Sequence, residues 1–432
     1  METCTSLYSK KEEFAHSLEI NLASSLVHLS RSLDFSSQGL LQHHQRVALL
    51  SLYIGKAAGL KEQDLFNLFT AAIIHDVGAV TWNEKRSLHQ FEVQSPWEHC
   101  QKGYEFLSGI PFLDKAADIV LSHHDTWAGN NPSGRYGTQI PLPSRIIYVA
   151  DRVDVLINDK IFILQQSNDI IKQLQKYAGS LFDPDLVAVV ADLTKVESLW
   201  MDLTSSWVSQ RLLDELPENR RSIKPEDLSH MARLYARVVD AKSPFTHRHS
   251  QGVALIARSL AEQAGLPKDE VFLLNLAGLL HDIGKLSVPE EIIQKPGSLT
   301  AAEFSIMKQH TYYTYWWLKP LFPSFPVAEW AAYHHERLDG QGYPFHKGAH
   351  ELDTKARIVA VADIFTALRE ERPYRSSLTW GEIERIIYNQ VRGGALDGEI
   401  ADILFENRGL IDDRWTSLSS QVQRNSYILS NR

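Results

Sequence analysis

Cysteine is scarce: Cys4 and Cys100 fall in different segments and form no CxxC pair. Neither a disulfide framework nor a zinc knuckle can be built from them, and a reducing, cytoplasmic setting fits best. Long apolar runs are missing too. The opening METCTSLYSKKEEFAHSLEI is broken by charge before a signal-peptide core could form, and no later stretch reaches the length of a membrane span. A protein with no membrane partner is expected. Positive charge is not in excess either, the formal net charge being -9. That balance speaks against a nucleic acid polymer as partner, since such a grip needs many Lys and Arg contacts to phosphates. A small anionic substrate stays compatible with it when bound metal ions supply the local positive field. With 44% hydrophobic and 22% charged residues, the composition is that of a folded globular chain and excludes disordered or fibrous classes.

What the chain does have is histidine, eighteen in all. Their order repeats. The second half runs His249, His281-Asp282, His310, His334-His335 and then Asp363 within RIVAVAD; the first half runs His43, His75-Asp76, His99, His123-His124 and then Asp151 within RIIYVAD. The two series are offset by 206, 206, 211, 211 and 212 residues. Their surroundings agree, LFTAAIIHDVG with LNLAGLLHDIG and ADIVLSHHD with AEWAAYHHE. Five such pairings in register mean a duplicated domain, and the period is far too long for a solenoid. The length also suits two cores. The join is expected near LLDELPENRRSIKPEDL, at about residue 215, giving domains 1–215 and 216–432.

Most segments carry helical periodicity. From Ser250 to Leu266, Val253, Ile256, Ala257, Leu260, Ala261 and Ala264 share one face, and Gly265 with Pro267 ends the pattern. The next segment, KDEVFLLNLAGLLHDIGK, opens with acidic residues suited to a helix start, reaches His281-Asp282 at its far end and has Gly284 as its expected stop. Lys61 to Gly78 reads the same way. Strand signals are sparse, and the runs Val359 to Ala362 and Ile146 to Ala150 read equally well as buried helix, so the expected fold class is all-α.

His249, His281, Asp282, His310, His334, His335 and Asp363 form a candidate metal set. Two HH dipeptides, each preceded by HD, would be costly to bury without partners. Neighbouring residues of a helix point apart, so Asp282 is suited to bridge two ions while His281 serves one. Two divalent ions can clamp the attacking and leaving oxygens of a phosphodiester, and mixed imidazole and carboxylate ligands suit iron, manganese or zinc better than magnesium. His230, His247, His346 and His350 read as ordinary core or surface residues. The aromatic run from Tyr312 to Trp317 reads as packing in preference to base stacking.

HDIGK, KPGSLT, HHERLDGQGYP and ERPYR resemble the HD-GYP family of bacterial phosphodiesterases, over roughly Pro225 to Leu410. The resemblance implies an all-helical fold of two tandem HD-superfamily domains and hydrolysis of a cyclic dinucleotide. Cyclic di-GMP is the first expectation and the mixed cyclic GMP-AMP the second, with linear dinucleotide or mononucleotide as product. It implies that His249, His281, Asp282 and Asp363 hold one ion and Asp282, His310, His334 and His335 the other. Iron or manganese is expected first, with zinc and nickel as alternatives. Lys285 would stabilise or protonate the leaving oxygen, Gly342, Tyr343 and Pro344 would form the loop beside the substrate, and Arg372 and Arg375 would hold its phosphate.

The departures from the family are informative. Phe245 stands where some members place a third-metal glutamate, so a dinuclear site is expected. Thr311 and Thr314 replace the usual Pro and Gly after the third histidine. In the first copy all seven candidate ligands survive (His43, His75, Asp76, His99, His123, His124, Asp151), but Ala79 replaces the lysine, HHDTWAGNNPSG replaces HHERLDGQGYP, and Lys160 and Ile163 replace the arginines. That copy is expected to be a degenerate domain with a second metal site and a regulatory or dimer-forming role, a homodimer being one expected assembly. Two rival readings remain open: a catalytically silent cyclic dinucleotide receptor, and an HD hydrolase of another nucleotide.

Overall fold

The computed structural model describes residues 20–36, 39–40, 42–93, 95–217, 222–242, 248–371 and 376–418. By its contacts the chain divides into two compact units, one from Ile20 to Ile223 and one built from Lys224 onward. Both are helical. The described strands are two-residue pieces: Ile20–Asn21 pairs antiparallel with Ser222–Ile223 at the two ends of the first unit, and Phe35–Ser36 pairs with Gly39–Leu40. No helix among the described residues is long and apolar enough to cross a membrane.

Six helices of the first unit frame its histidines: α1 (Leu22–Leu33), α2 (His43–Ala57), α3 (Glu62–Ala72), α4 (Trp97–Leu107), α5 (Asp114–Leu121) and α6 (Leu142–Val155). Six of the second unit repeat them: α7 (Pro225–Asp240), α8 (His249–Gln263), α9 (Lys268–Leu280), α10 (Gln309–Leu318), α11 (Val327–Ala332) and α12 (Thr354–Arg369). The ambiguous runs Ile146 to Ala150 and Val359 to Ala362 lie inside α6 and α12, so they are buried helix. In each unit the helix that begins at the first histidine packs on the next helix and on the one carrying the final aspartate, α2 on α3 and α6, α8 on α9 and α12.

The sequence pattern explains this packing. Val253, Ile256, Ala257, Leu260 and Ala261 are buried along α8, and Leu273, Leu274, Leu276 and Ala277 along α9. Each large side chain of this kind contributes about 1.5–3 kcal/mol when fully buried. Asp269 and Glu270 occupy the first turn of α9, where carboxylates favour the positive helix end.

One expectation needs correcting. Gly284 does not stop α9, which ends at Leu280; His281 caps it, Asp282 leaves helical geometry at φ -103°, and a 3-10 turn runs over Ile283–Ser287. The glycine answers a different constraint, because a Cβ there would stand 1.7 Å from the carbonyl oxygen of His310. Gly78 is under the same constraint, 2.0 Å from the carbonyl oxygen of His99. Each HD turn is thus pressed against the helix that begins beside the third histidine.

Thr314 secures that contact in the second unit. Its buried hydroxyl accepts from the Gly284 amide at 3.0 Å and donates to the His281 carbonyl at 3.0 Å. The corresponding residue of the first unit is Gly103, whose amide lies 2.6 Å from where a Gly78 Cβ would be. Thr311 only donates to Lys308 within its own turn. Thr314→Val keeps the shape but leaves a buried donor and acceptor unpaired, so it is expected to lower stability by about 2 kcal/mol in urea unfolding. Thr311→Val should cost clearly less.

Candidate metal centre

The seven residues of the second unit converge from three helices, the turn that follows α9 and the 3-10 turn that follows α11. His249 opens α8, His281 and Asp282 follow α9, His310 lies on α10, His334 and His335 form the turn after α11, and Asp363 lies on α12. The two oxygens of Asp282 face different partners. Oδ2 lies 3.2 Å from His281 Nε2 and 3.8 Å from His249 Nε2, while Oδ1 lies 3.6 Å from His310 Nε2 and 3.8 Å from His334 Nε2. Asp363 Oδ1 is 3.1 Å from His249 Nε2. His310, His334 and His335 bring their ligand atoms within 4.8 Å of one another, as do His249, His281 and Asp363.

The histidines are aimed by the backbone. His281 Nδ1 bonds the Gly278 carbonyl at 2.8 Å, His310 Nδ1 that of Met307 at 2.7 Å, and His334 Nδ1 that of Ala331 at 2.7 Å. A carbonyl only accepts, so Nδ1 carries the proton and Nε2 turns its lone pair to the centre, the arrangement typical of metal-ligating histidine. Burial, reinforced by His335 and Lys285, pushes His310 down to about 3, and burial with His335 and His281 holds His334 well below the usual histidine range, which keeps both neutral. Burial raises the Asp282 carboxyl, but the neighbouring charges of His281 and Lys285 outweigh it and hold the group well below the usual carboxylate range. Asp282 Oδ1 is nevertheless buried without a hydrogen-bond partner. An orphaned anionic oxygen facing imidazole lone pairs is the state a cation corrects, and these clusters are able to hold metal ions.

Two carboxylates to which the sequence assigned no role complete the site. Glu370 Oε2 lies 3.1 Å from His249 Nδ1 and fixes that ring; against the opposing effect of burial, its bond and that of Asp363 lift His249 to about 10. Glu336 is buried and accepts from the amides of Phe345 and Lys347, each at 2.8 Å. It thereby pins the loop that carries Gly342, Tyr343 and Pro344. Gly342 packs so tightly that a Cβ would fall 2.4 Å from Glu336 Cα. The Tyr343 ring lies against His335, centroids 4.9 Å apart, and the Tyr343–Pro344 bond is cis. Lys285 bonds Asp282 Oδ2. Arg372, Arg375, Phe245 and His247 lie outside the described residues, while His346 and His350 are exposed and outside the cluster. Of the aromatic run only part is packing: Trp317 is buried, but Tyr312 and Trp316, one turn apart, are 46% and 52% exposed.

The first unit repeats the geometry. Asp76 Oδ2 faces His75 at 3.5 Å and His43 at 3.7 Å, and Oδ1 faces His99 at 3.1 Å and His123 at 3.5 Å. His75 and His123 bond the Ala72 and Val120 carbonyls through Nδ1. Asp154 does for His43 what Glu370 does for His249, at 2.7 Å. The surroundings differ: Ala79 is buried apolar where Lys285 stands, Lys160 is exposed and Ile163 is buried.

The family model described as HD domain matches residues 28–186 and again 233–400. The chain is 33% identical over 403 residues to 3'3'-cGAMP-specific phosphodiesterase 1 of Vibrio cholerae, covering 90% of this chain and 92% of that protein. It is 28% identical to 3'3'-cGAMP-specific phosphodiesterase 3 of the same organism, covering 92% and 96%. Cyclic di-GMP phosphodiesterase response regulator RpfG of Xanthomonas campestris is 37% identical over 48% of this chain and 53% of its own length. A crystal structure of a cyclic GMP-AMP-specific phosphodiesterase of Vibrio cholerae, V-cGAP3, superposes with a TM-score of 0.64 at 27% identity, over 90% of this chain and 98% of that one. The chain belongs to the HD domain family and carries that domain twice.

Proposed function

We propose that the chain is a metal-dependent phosphodiesterase that opens a cyclic dinucleotide, with turnover in the domain from 216 to 432. The observation that carries this reading is the divided Asp282 carboxylate, each oxygen facing its own pair of imidazoles, with Lys285 bonded to the same group. His249, His281, Asp363 and Asp282 Oδ2 would hold one divalent ion, and Asp282 Oδ1, His310, His334 and His335 the other. Such a pair, when bound, polarises a phosphodiester and lowers the pKa of a water between the ions. The imidazole and carboxylate set suits iron or manganese, with zinc and nickel as alternatives.

The chain's own groups do the rest. Lys285 is a raised-pKa ammonium, burial working against its charge and Asp282 more than restoring it, so it stays protonated and can donate to or stabilise a leaving oxygen. The loop of Gly342, Tyr343 and Pro344, held by Glu336, walls the His335 side. Arg372 and Arg375 are assigned to the substrate phosphate by charge-assisted hydrogen bonds.

For the substrate, the sequence alone puts cyclic di-GMP first. The relatives that this chain spans nearly end to end carry cGAMP-specific names, whereas the RpfG match covers only about half of each chain. That pattern supports 3'3'-cGAMP as the preferred substrate. The first domain, lacking a counterpart of Lys285, takes a regulatory or dimer-forming role.

Incubating the full chain with manganese or iron(II) and each cyclic dinucleotide should yield linear dinucleotide fastest from 3'3'-cGAMP, and p-nitrophenyl phosphate should turn over far more slowly. Monoester turnover equal to or above that of every cyclic dinucleotide would sink the proposal. Lys285→Ala should cut kcat about 10²- to 10⁴-fold while bound metal is retained, as read by elemental analysis. Glu370→Gln, which loosens the His249 ring without removing a ligand, should weaken metal affinity about 10- to 100-fold in a metal titration.

A further inference from the structure

The first unit's histidine cluster has two halves that differ in a way the second unit's do not. On one side Asp76, His99, His123 and His124 bring four buried ligand atoms within 4.8 Å of one another. His99 Nε2 lies 3.1 Å from Asp76 Oδ1, His123 Nε2 lies 3.5 Å from the same oxygen, and the two nitrogens are 3.2 Å apart. A tetrahedron drawn with metal–ligand bonds of about 2.0–2.1 Å has edges of about 3.4 Å, so these three atoms already form one of its faces. Asp76 Oδ1 and both ring nitrogens of His124 are buried without a hydrogen-bond partner. Buried polar groups rarely stay so unless something occupies the space between them.

On the other side His43, His75 and Asp151 also gather, with His43 and His75 Nε2 3.2 Å apart. Spacing therefore does not separate the halves; charge does. Arg152, 1% exposed, donates to Asp151 Oδ2 from Nη2 at 2.6 Å and from Nε at 3.1 Å. It is held in place by the Leu88, Gln90 and Phe91 carbonyls. Asp151 Oδ1 lacks a hydrogen-bond partner, yet a dication on it would sit beside a guanidinium that can neither swing away nor lose its proton. The second unit has Ile364 at this position.

We propose that the first unit holds one divalent ion of borderline softness, such as zinc, closed by Asp76, His99, His123 and His124, and that the Asp151 half-site holds none because Arg152 supplies its positive charge. Four protein ligands leave no open position, which is the mark of a structural ion and not a catalytic one. It ties the turn after α3 to α4 and to the end of α5. Cys100 stands behind the ligands, its thiol donating to the Pro96 carbonyl at 3.3 Å.

The inference rests on the first unit's geometry and not on the proposed hydrolysis, so absent turnover would leave its test intact. The test counts zinc per chain by elemental analysis on the full protein after gel filtration. His124→Ala should lose one ion and melt several degrees lower, Asp151→Asn should lose none, and Arg152→Ile should gain one. The gain counts only in a variant that elutes and melts as the folded chain, since histidines exposed by misfolding would also bind zinc. Loss of an ion in Asp151→Asn, no loss in folded His124→Ala, or no gain in folded Arg152→Ile would overturn the proposal. Should the last two fail to fold, His99→Gln takes their place and should lose one ion, its retention overturning the proposal.

Discussion

Everything in each site depends on one carboxylate being shared. Asp282 and Asp76 each place one oxygen before a pair of imidazoles on one side and the other oxygen before a pair on the opposite side. That is possible only because the chain leaves helical geometry at the aspartate, and the departure in turn needs a residue without Cβ where the turn meets the backbone of the third histidine. Gly78 and Gly284 meet that demand to within about 0.3 Å of each other. The same joint is then locked in two ways, by a bare glycine in the first unit and by the Thr314 hydroxyl in the second.

Imidazoles supply the second constraint. A histidine three residues after a free carbonyl can return its Nδ1 proton to that carbonyl, and the helix ends of both units provide such carbonyls at Ala72, Val120, Gly278, Met307 and Ala331. The orientation of these five rings is therefore fixed by local backbone, while the first histidine of each set, at the start of its helix, has no such carbonyl behind it. It needs a carboxylate from another helix, and Asp154 and Glu370 supply one.

The sequence made the helices and the histidine constellation legible because both rest on periodicity and spacing, and the duplication doubled the signal. It did not reveal the supporting carboxylates. Asp154 lies three residues after Asp151, whereas Glu370 lies seven after Asp363, so the same task is done from different turns of matching helices and leaves no shared spacing. Glu336 was hidden for another reason: it looks like part of a motif, and only the structure brings the amides of Phe345 and Lys347 onto it. Tyr312 and Trp316 ran against the packing expectation because aromatic residues on a helix say nothing of which side faces the core.

Glu336 is the covalent neighbour of His335, and its carboxylate is the anchor of the loop that follows. A lever with one arm in the ligand cluster and the other on the loop cannot turn at one end alone. The imidazole in the cluster and the carboxylate that holds the loop are one peptide bond apart, so the floor of the centre and the wall beside it are cut from the same piece of backbone.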